Sequence, residues 1–162
     1  MSKLHVRLAT VEDTPLILQF IKELAEYEEL LSEVTATEEI LKKTLFEDHK
    51  AEVIIGEVDA QPVAFALFFS NFSTFVGKPG LYLEDLYVKP EFRGAGFGKQ
   101  LLAYLANLAV SRDYGRFEWW CLDWNTSSIE FYKRMGAKPM DGWTVYRVDG
   151  DALTELAAKN IL

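Results

Sequence analysis

A glycine-rich turn between a strand-like run and a helix-like run is the feature that most constrains this chain. The turn Arg93-Gly-Ala-Gly-Phe-Gly-Lys99 follows the strand-like residues 81–88 and opens the helix-like residues 99–112. Glycines at alternate positions let backbone amides approach a bulky anion without Cβ atoms in the way. The helix that follows adds unpaired amides and the positive end of its dipole, and Arg93 adds a mobile positive charge. The sequence therefore predicts a strand, turn and helix that bind a phosphate or pyrophosphate.

Two familiar phosphate-binding motifs differ from this turn in spacing. The P-loop requires a Ser or Thr after its Gly-Lys pair, whereas here Gln100 follows that pair and an arginine replaces the first glycine. The dinucleotide fingerprint G-x-G-x-x-G directly follows a strand, whereas residues 89–93 separate this G-x-G-x-G turn from its strand. Asp123 follows the next strand, where an acid binds ribose in that fold, so a nicotinamide cofactor stays a minor alternative.

The rest of the chain alternates between strand and helix patterns. Strands are predicted at 4–8, 53–58, 62–69, 81–88, 116–122, near 138 and at 142–148, and helices at about 13–29, from 37, at 99–112, at 126–135 and at the C-terminus. The run 116–122 is apolar on both faces, which is typical of a central buried strand. Gly136 is placed to end the fourth helix in a left-handed conformation. This order predicts one α/β domain, residues 1–162, built around a mixed sheet.

Composition and charge narrow the possible partners. The chain has 162 residues, 49% of them hydrophobic and 26% charged, which is typical of one soluble globular domain. A net charge of −8 opposes nucleic-acid binding and suits a cationic small molecule. Neither a membrane-spanning run nor a signal peptide is recognisable, so we expect no membrane partner and a cytoplasmic location. His5, His49 and Cys121 are too few and too scattered for a metal site, and Cys121 is predicted to be a small core residue.

Several further segments follow a known family pattern in order along nearly the whole chain. They are residues 7–10, 21–28, 81–85, 93–98, 124–125, 128–129, 131–134, 136–137 and 142–143. On these segments the sequence resembles the GNAT superfamily of N-acetyltransferases, and within it the spermidine/spermine (diamine) N-acetyltransferase subfamily. The resemblance implies a mixed, mostly antiparallel central sheet flanked by helices. It also implies acetyl-CoA as cofactor and a homodimer.

Acetyl transfer to an amine requires a proton acceptor, a donor for the oxyanion and a proton for the leaving group. The resemblance assigns the proton donor to Tyr132 and places Glu84 near the acceptor, where it could accept a proton through water. Adjacent strand residues face opposite sides, so Glu84 and Asp85 share a face only if the strand bulges, and the resemblance implies such a bulge. Pairing with an Arg or Lys is the rival interpretation for both carboxylates, and it is the favoured one for Asp85.

The resemblance also implies which residues bind the cofactor and which bind the acceptor. The expected cofactor-binding residues are Leu86, Tyr87, Val88, Arg93, Gly94, Ala95, Gly96, Phe97, Gly98, Lys99, Asn125, Ser128 and Tyr132. The expected acceptor-binding residues are Glu26, Tyr27, Glu28, Glu84, Asp85 and Trp143. Simpler interpretations exist for some of them, because Asn125 could be a plain helix N-cap and the acidic end of the first helix a solvated face.

Three functions remain open from the sequence. The first is an acetyl-CoA-dependent N-acetyltransferase acting on a small primary amine, such as a polyamine, a diamine or a thialysine-like lysine analogue. The second is an enzyme of the same fold that acetylates the N-terminus or a lysine of another protein. The third is a non-catalytic acyl-CoA-binding sensor.

Overall fold

The computed structural model describes residues 2–161, within which five strands form one sheet. In chain order and in spatial order they are β1 (His5–Leu8), β2 (Glu52–Val58), β3 (Gln61–Ser73), β4 (Lys78–Val88) and β5 (Phe117–Trp119). Strands β1 to β4 are antiparallel to their neighbours, and β5 runs parallel to β4. The predicted mixed, mostly antiparallel sheet is therefore confirmed.

The helices lie close to their predicted positions. They are α1 (Thr14–Tyr27), α2 (Glu38–Leu41), α3 (Phe97–Ser111), α4 (Thr126–Arg134) and α5 (Gly150–Ala157). Thr37 caps α2 because its hydroxyl oxygen accepts a hydrogen bond from the Ile40 amide at 3.2 Å. A π-helical stretch, Lys42–Glu47, continues α2. Gly136 follows α4 with a φ of 91°, the left-handed conformation that was predicted there.

The chain divides into two compact units after Thr126. The first unit contains the sheet and α1 to α3. The second unit starts at Ser127 and contains nearly all of α4 and the whole of α5. The expectation of a single domain over residues 1–162 stays a prediction.

The core of the first unit fixes α1 against the sheet. Ile17, Phe20 and Leu24 recur at helical spacing along α1 and are buried. The Phe20 ring stacks on Phe65 of β3 with centroids 5.2 Å apart and lies 6.0 Å from the ring of Tyr87 in β4. This packing brings the C-terminal end of α1 to the C-terminal half of β4.

A bulge interrupts β4 at Glu84. Leu67 of β3 pairs with Asp85, and the next residue of β3 pairs with Leu83, so Glu84 is the extra residue. Strand β5 pairs with β4 only up to Leu83. Beyond that point β4 is paired with β3 on one side and with no strand of the described chain on the other. The bulge expected from the resemblance is confirmed, and the sheet splits where it occurs.

The prediction of a central buried strand at 116–122 is wrong. Only Phe117–Trp119 forms β5, which is half-buried and lies at the edge of the sheet. The next residue, Trp120, is 58% exposed. Apolar residues on both faces of the run indicated burial between two neighbouring strands, but β5 pairs only with β4.

The two strands predicted after α4 are also not observed. Residues 138–149 contain no strand, and Trp143 and Tyr146 are 78% and 91% exposed. Alternating apolar residues specify which face of a strand is buried, but they do not supply the backbone partner that a strand needs.

Candidate active site

The glycine turn presents a row of unused backbone donors. Gly96 is the N-cap of α3, and the first backbone bond of that helix runs from the Gln100 amide to the Gly96 carbonyl. No acceptor within the described chain takes a hydrogen bond from the amides of residues 94–99. These amides lie at the positive end of the helix dipole, which is the arrangement that binds a phosphate.

The turn also leaves open space for such a group. Gly94 and Gly96 have φ values of 84° and 83°, in the left-handed region that side chains disfavour. A Cβ atom built on either glycine would meet nothing within 4 Å. Arg93, Ala95 and Phe97 of the turn line an open cavity of about 180 Å³, whose other lining residues are Ser2, Glu91 and Phe92. The residues present therefore fit a pyrophosphate, as predicted from the sequence.

Beyond the split, the free edge of β4 carries backbone groups of Leu86 and Val88. The Lys89 amide donates to the Val63 carbonyl of β3, and hydrogen bonding alternates along an antiparallel strand. Tyr87 consequently bonds to β3, whereas Leu86 and Val88 direct their backbone groups to the other edge. Of the three residues expected to bind a cofactor arm through the backbone, Leu86 directs an amide and a carbonyl to this edge and Val88 an amide, because the Val88 carbonyl accepts a hydrogen bond from Arg93 Nε at 2.9 Å.

Three carboxylates from two elements form one electrostatic group, which we call the carboxylate group: Glu28, at the end of α1, and Glu84 and Asp85, at the bulge of β4. Burial, then the charges of Glu84 and Glu28, raise the pKa of Asp85 to about 7. Burial and the charge of Glu84 raise the pKa of Glu28 as well. Within the described chain no Lys or Arg forms an ion pair with any of the three.

The favoured interpretation of Asp85, structural pairing with a basic residue, is therefore wrong. Asp85 is half-buried and lies beside two other carboxylates rather than beside a cation. The bulge explains the difference, because it lets neighbouring carboxyl groups approach each other where a regular strand would direct them to opposite faces. A half-buried carboxyl beside two other carboxylates takes up a proton near neutral pH.

The acidic end of α1 does not act as one cluster. Glu28 belongs to the carboxylate group, whereas Glu26 lines a separate cavity of about 400 Å³ together with Glu23 and Glu38. Glu29 is exposed. Of the neighbouring glutamates on α1, only Glu28 is thus brought together with Glu84 and Asp85.

Contacts around Tyr27 could not be anticipated from the sequence. The Arg93 guanidinium carbon lies 4.8 Å from the centroid of the Tyr27 ring. The Tyr27 hydroxyl donates to the Asn125 side-chain oxygen at 3.4 Å, and the Trp124 ring lies 6.5 Å away. Tyr27 thus contacts Arg93 and Asn125, both of which were predicted to bind the cofactor.

Three predicted site residues lie in the second unit. Ser128 and Tyr132 are on α4 and are half-buried, and the Tyr132 ring lies 5.5 Å from that of Phe131. Trp143 is largely exposed. Their assignments stay predictions.

Cys121 follows β5 and is half-buried. Burial, then the charges of Glu28 and Asp123, raise the pKa of its thiol, so the thiol is neutral. Among residues 2–161 no group of three or more His, Cys, Asp or Glu could hold a metal ion. No helix in that range has the length and apolar character needed to cross a membrane.

Comparison with known proteins shows which family and which relatives this chain resembles. The model of the acetyltransferase (GNAT) family matches residues 17–137. The chain is 35% identical to the thialysine N-epsilon-acetyltransferase of Sus scrofa, with 98% of this chain and 100% of the relative covered. It is 32% identical to an L-ornithine N5-acetyltransferase of Arabidopsis thaliana, with 97% and 89% covered.

Among solved structures, an integron cassette protein from the mobile metagenome of V. cholerae is similar to this chain. The two share 27% sequence identity at a TM-score of 0.80, and the alignment covers 97% of this chain and 98% of the other. The likeness therefore extends through both compact units.

The pKa of Asp85 predicts how stability depends on pH. An unfolded Asp has a pKa of about 3.9, so between about pH 4 and about pH 7 the folded chain binds this proton more tightly than the unfolded chain. The stability contributed by protonated Asp85 is complete below about pH 4 and is lost as the pH rises through about 7. Glu28 contributes in the same direction. Asp85→Asn removes the titration, so its melting temperature should fall less than that of the wild type between about pH 5 and about pH 8.

Melting curves recorded across that pH range measure this difference. Asp141→Asn, at an exposed position of the second unit, is the matched control and should follow the wild-type curve. The same pH dependence in Asp85→Asn and in the wild type would contradict a protonated Asp85.

Proposed function

The chain belongs to the GNAT family of acetyltransferases, and from that premise we propose that it moves an acetyl group from acetyl-CoA to the primary amine of a small cationic acceptor, such as a polyamine, a diamine or a thialysine-like amino acid. It is an N-acetyltransferase. The observation that carries the acceptor class is the carboxylate group, in which Glu28, Glu84 and Asp85 interact electrostatically and form no ion pair with a Lys or Arg of residues 2–161. A cationic amine is the ligand that compensates such a group.

Acetyl-CoA supplies a thioester carbonyl that is activated towards attack by an amine. On the protein side, the unused amides of residues 94–99 and the Arg93 guanidinium would hold the pyrophosphate. Backbone groups of Leu86 and the Val88 amide would bind the pantetheine arm at the free edge of β4, and Asn125 and Ser128 are proposed to bind the cofactor as the sequence resemblance implies. The amide row, the open space over Gly94 and Gly96 and the free strand edge support this assignment.

The acceptor amine must lose a proton, because an alkyl ammonium has a pKa of about 10. We assign proton acceptance to the adjacent carboxyls Glu84 and Asp85. A base is most effective when its pKa lies near the working pH, and the pKa of Asp85 is about 7. Tyr132 is proposed to give a proton to the leaving sulfur, the role that the sequence resemblance assigns to it.

The related enzymes support an amine on a flexible alkyl chain. Thialysine and ornithine, the acceptors in the names of the two relatives, each carry such an amine. In this chain Glu28 would bind a second, remote positive charge while Glu84 and Asp85 face the reacting amine.

The proposed cofactor site can be tested with Gly96→Val. Acetyl-CoA and CoA should raise the melting temperature of the wild type by mass action. The valine side chain would occupy the space for the pyrophosphate and would strain a residue at a φ of 83°, so the shift should disappear. Gly77→Val is the matched control, because Gly77 also has a positive φ, 73°, and open space around it. It should keep the full shift, and stabilisation of the wild type by NADH alone would contradict the assignment.

The proposed proton donor can be tested with Tyr132→Phe. Loss of a positioned proton donor should lower kcat by roughly 10- to 1,000-fold. The dissociation constant for acetyl-CoA should stay nearly unchanged, because the ring remains. Steady-state kinetics and calorimetric titration measure the two quantities. Turnover equal to that of the wild type would reduce Tyr132 to a packing residue.

The acceptor class can be tested with a panel of amines and Glu28→Gln. Longer di- and triamines should be better substrates than monoamines, because they keep a remote ammonium for Glu28. Glu28→Gln should raise KM for these acceptors by about 10-fold, the scale of one hydrogen bond to a charged group, and change kcat less. Glu29→Gln is the control, since Glu29 is exposed and outside the carboxylate group. Equal effects of the two variants, or equal turnover of uncharged arylamines and spermidine, would contradict a cationic acceptor.

We also propose that the chain forms a homodimer and works in the cytoplasm. Trp143, Val145 and Tyr146 are 78%, 57% and 91% exposed, and a partner chain would cover such apolar side chains. Sedimentation velocity at micromolar concentration should give a dimer, and Tyr146→Glu should shift it towards monomer. A wild-type monomer under these conditions would contradict the proposal.

A further inference from the structure

Tyr27 lies across the split in the sheet. Arg93 follows β4 and Asn125 follows β5, the two strands that separate after Leu83 and Trp119. The Tyr27 ring contacts the guanidinium on one side, and its hydroxyl donates to Asn125 on the other. One side chain of α1 therefore joins the chain segments that follow the two separated strands.

The packing of α1 against the sheet fixes the backbone from which the Tyr27 side chain extends. Tyr27 is the last residue of α1 and follows Leu24, which is buried in the same cluster as Phe20. Phe20 in turn stacks on β3. The backbone of Tyr27 is thereby fixed relative to β4, although its side chain is 39% exposed.

Arg93 is restrained at three points. Its Nε donates to the Val88 carbonyl at 2.9 Å. Its guanidinium lies 4.8 Å from the Tyr27 ring centroid and 5.6 Å from that of Tyr87. Within the described chain its terminal nitrogens donate to no acceptor. Arg93 directly precedes the amide row in the chain, and its guanidinium is thus restrained with its outer donors available for an anion.

We propose that Tyr27 is a positioning residue for cofactor binding, which holds the Arg93 guanidinium ready for the phosphates and ties that side of the split to Asn125. This inference rests on the proposed function. A long, exposed arginine loses conformational freedom when it binds a ligand, and a ring that restrains it beforehand reduces that cost. The sequence resemblance implied instead that Tyr27 binds the acceptor. The two assignments therefore differ in whether removal of the Tyr27 side chain weakens binding of the cofactor or of the acceptor.

The test measures the dissociation constant of CoA by calorimetric titration in Tyr27→Leu and Tyr27→Phe. Tyr27→Leu removes the ring and the hydroxyl, and should weaken CoA binding by roughly 3- to 10-fold, the scale of one cation–π contact. Tyr27→Phe keeps the ring under Arg93 and should stay within about twofold of the wild type. Tyr104→Leu is the matched control, because Tyr104 is 37% exposed on α3, and should bind CoA as the wild type does.

A double-mutant cycle shows whether Tyr27 acts through Arg93. In an Arg93→Met background, Tyr27→Leu should weaken CoA binding by less than about twofold further. An equal loss in both backgrounds would overturn the inference, because Tyr27 would then act independently of the arginine. KM for the amine acceptor should not change in Tyr27→Leu, and a change confined to that KM would return Tyr27 to the acceptor site.

The outcomes separate this inference from the proposed function. If the wild type binds CoA and Tyr27→Leu binds it as tightly as Tyr104→Leu does, only the role of Tyr27 is overturned. If the wild type does not bind CoA, the proposed function is overturned together with it.

Discussion

One extra residue in β4, Glu84, sets the geometry on which the proposed active site depends. Glu84 has no partner in β3, and pairing between β4 and β5 ends at Leu83, directly before this bulge, so β4 has a free edge beyond it. The free edge exposes backbone groups of β4 that a continuous sheet would have used. The bulge also brings the side chains of Glu84 and Asp85 near each other. The free strand edge and the carboxylate group therefore have one structural cause.

Burial and the electrostatic repulsion within the carboxylate group are seen in the raised pKa of Asp85. Three acidic side chains without a cation are unfavourable, and the chain relieves the repulsion by keeping a proton on Asp85 up to about pH 7. A bound ammonium would remove that repulsion and would leave Asp85 able to accept a proton. Residues at binding sites commonly carry such an unfavourable charge balance, because the ligand completes it.

Local features of the fold were predictable from the sequence, and long-range pairing was not. The glycine turn, the cap at Thr37 and the left-handed Gly136 each follow from a few neighbouring residues, so their patterns were sufficient. The position of β5 at the sheet edge and the absence of strands at 138–149 depend on which segments pair, and an apolar pattern does not encode that choice. The same distinction between local features and long-range contacts applies to the proposed site. The amide row was predicted, whereas the unpaired Asp85 and the contact between Tyr27 and Arg93 arise only when distant segments come together.

Two neighbouring residues at the end of α1 belong to different halves of the proposed site. One half attracts anions and the other attracts cations. Tyr27 contacts Arg93 on the side of the amide row, whereas Glu28 belongs to the carboxylate group. An anionic cofactor and a cationic acceptor would each be attracted to one half and repelled by the other, which keeps the acceptor out of the phosphate site. In a chain with a net charge of −8, the helix amides and Arg93 supply the local positive charge that an anionic cofactor needs. The two proposed substrates would thus be separated by charge at two neighbouring residues, Tyr27 and Glu28.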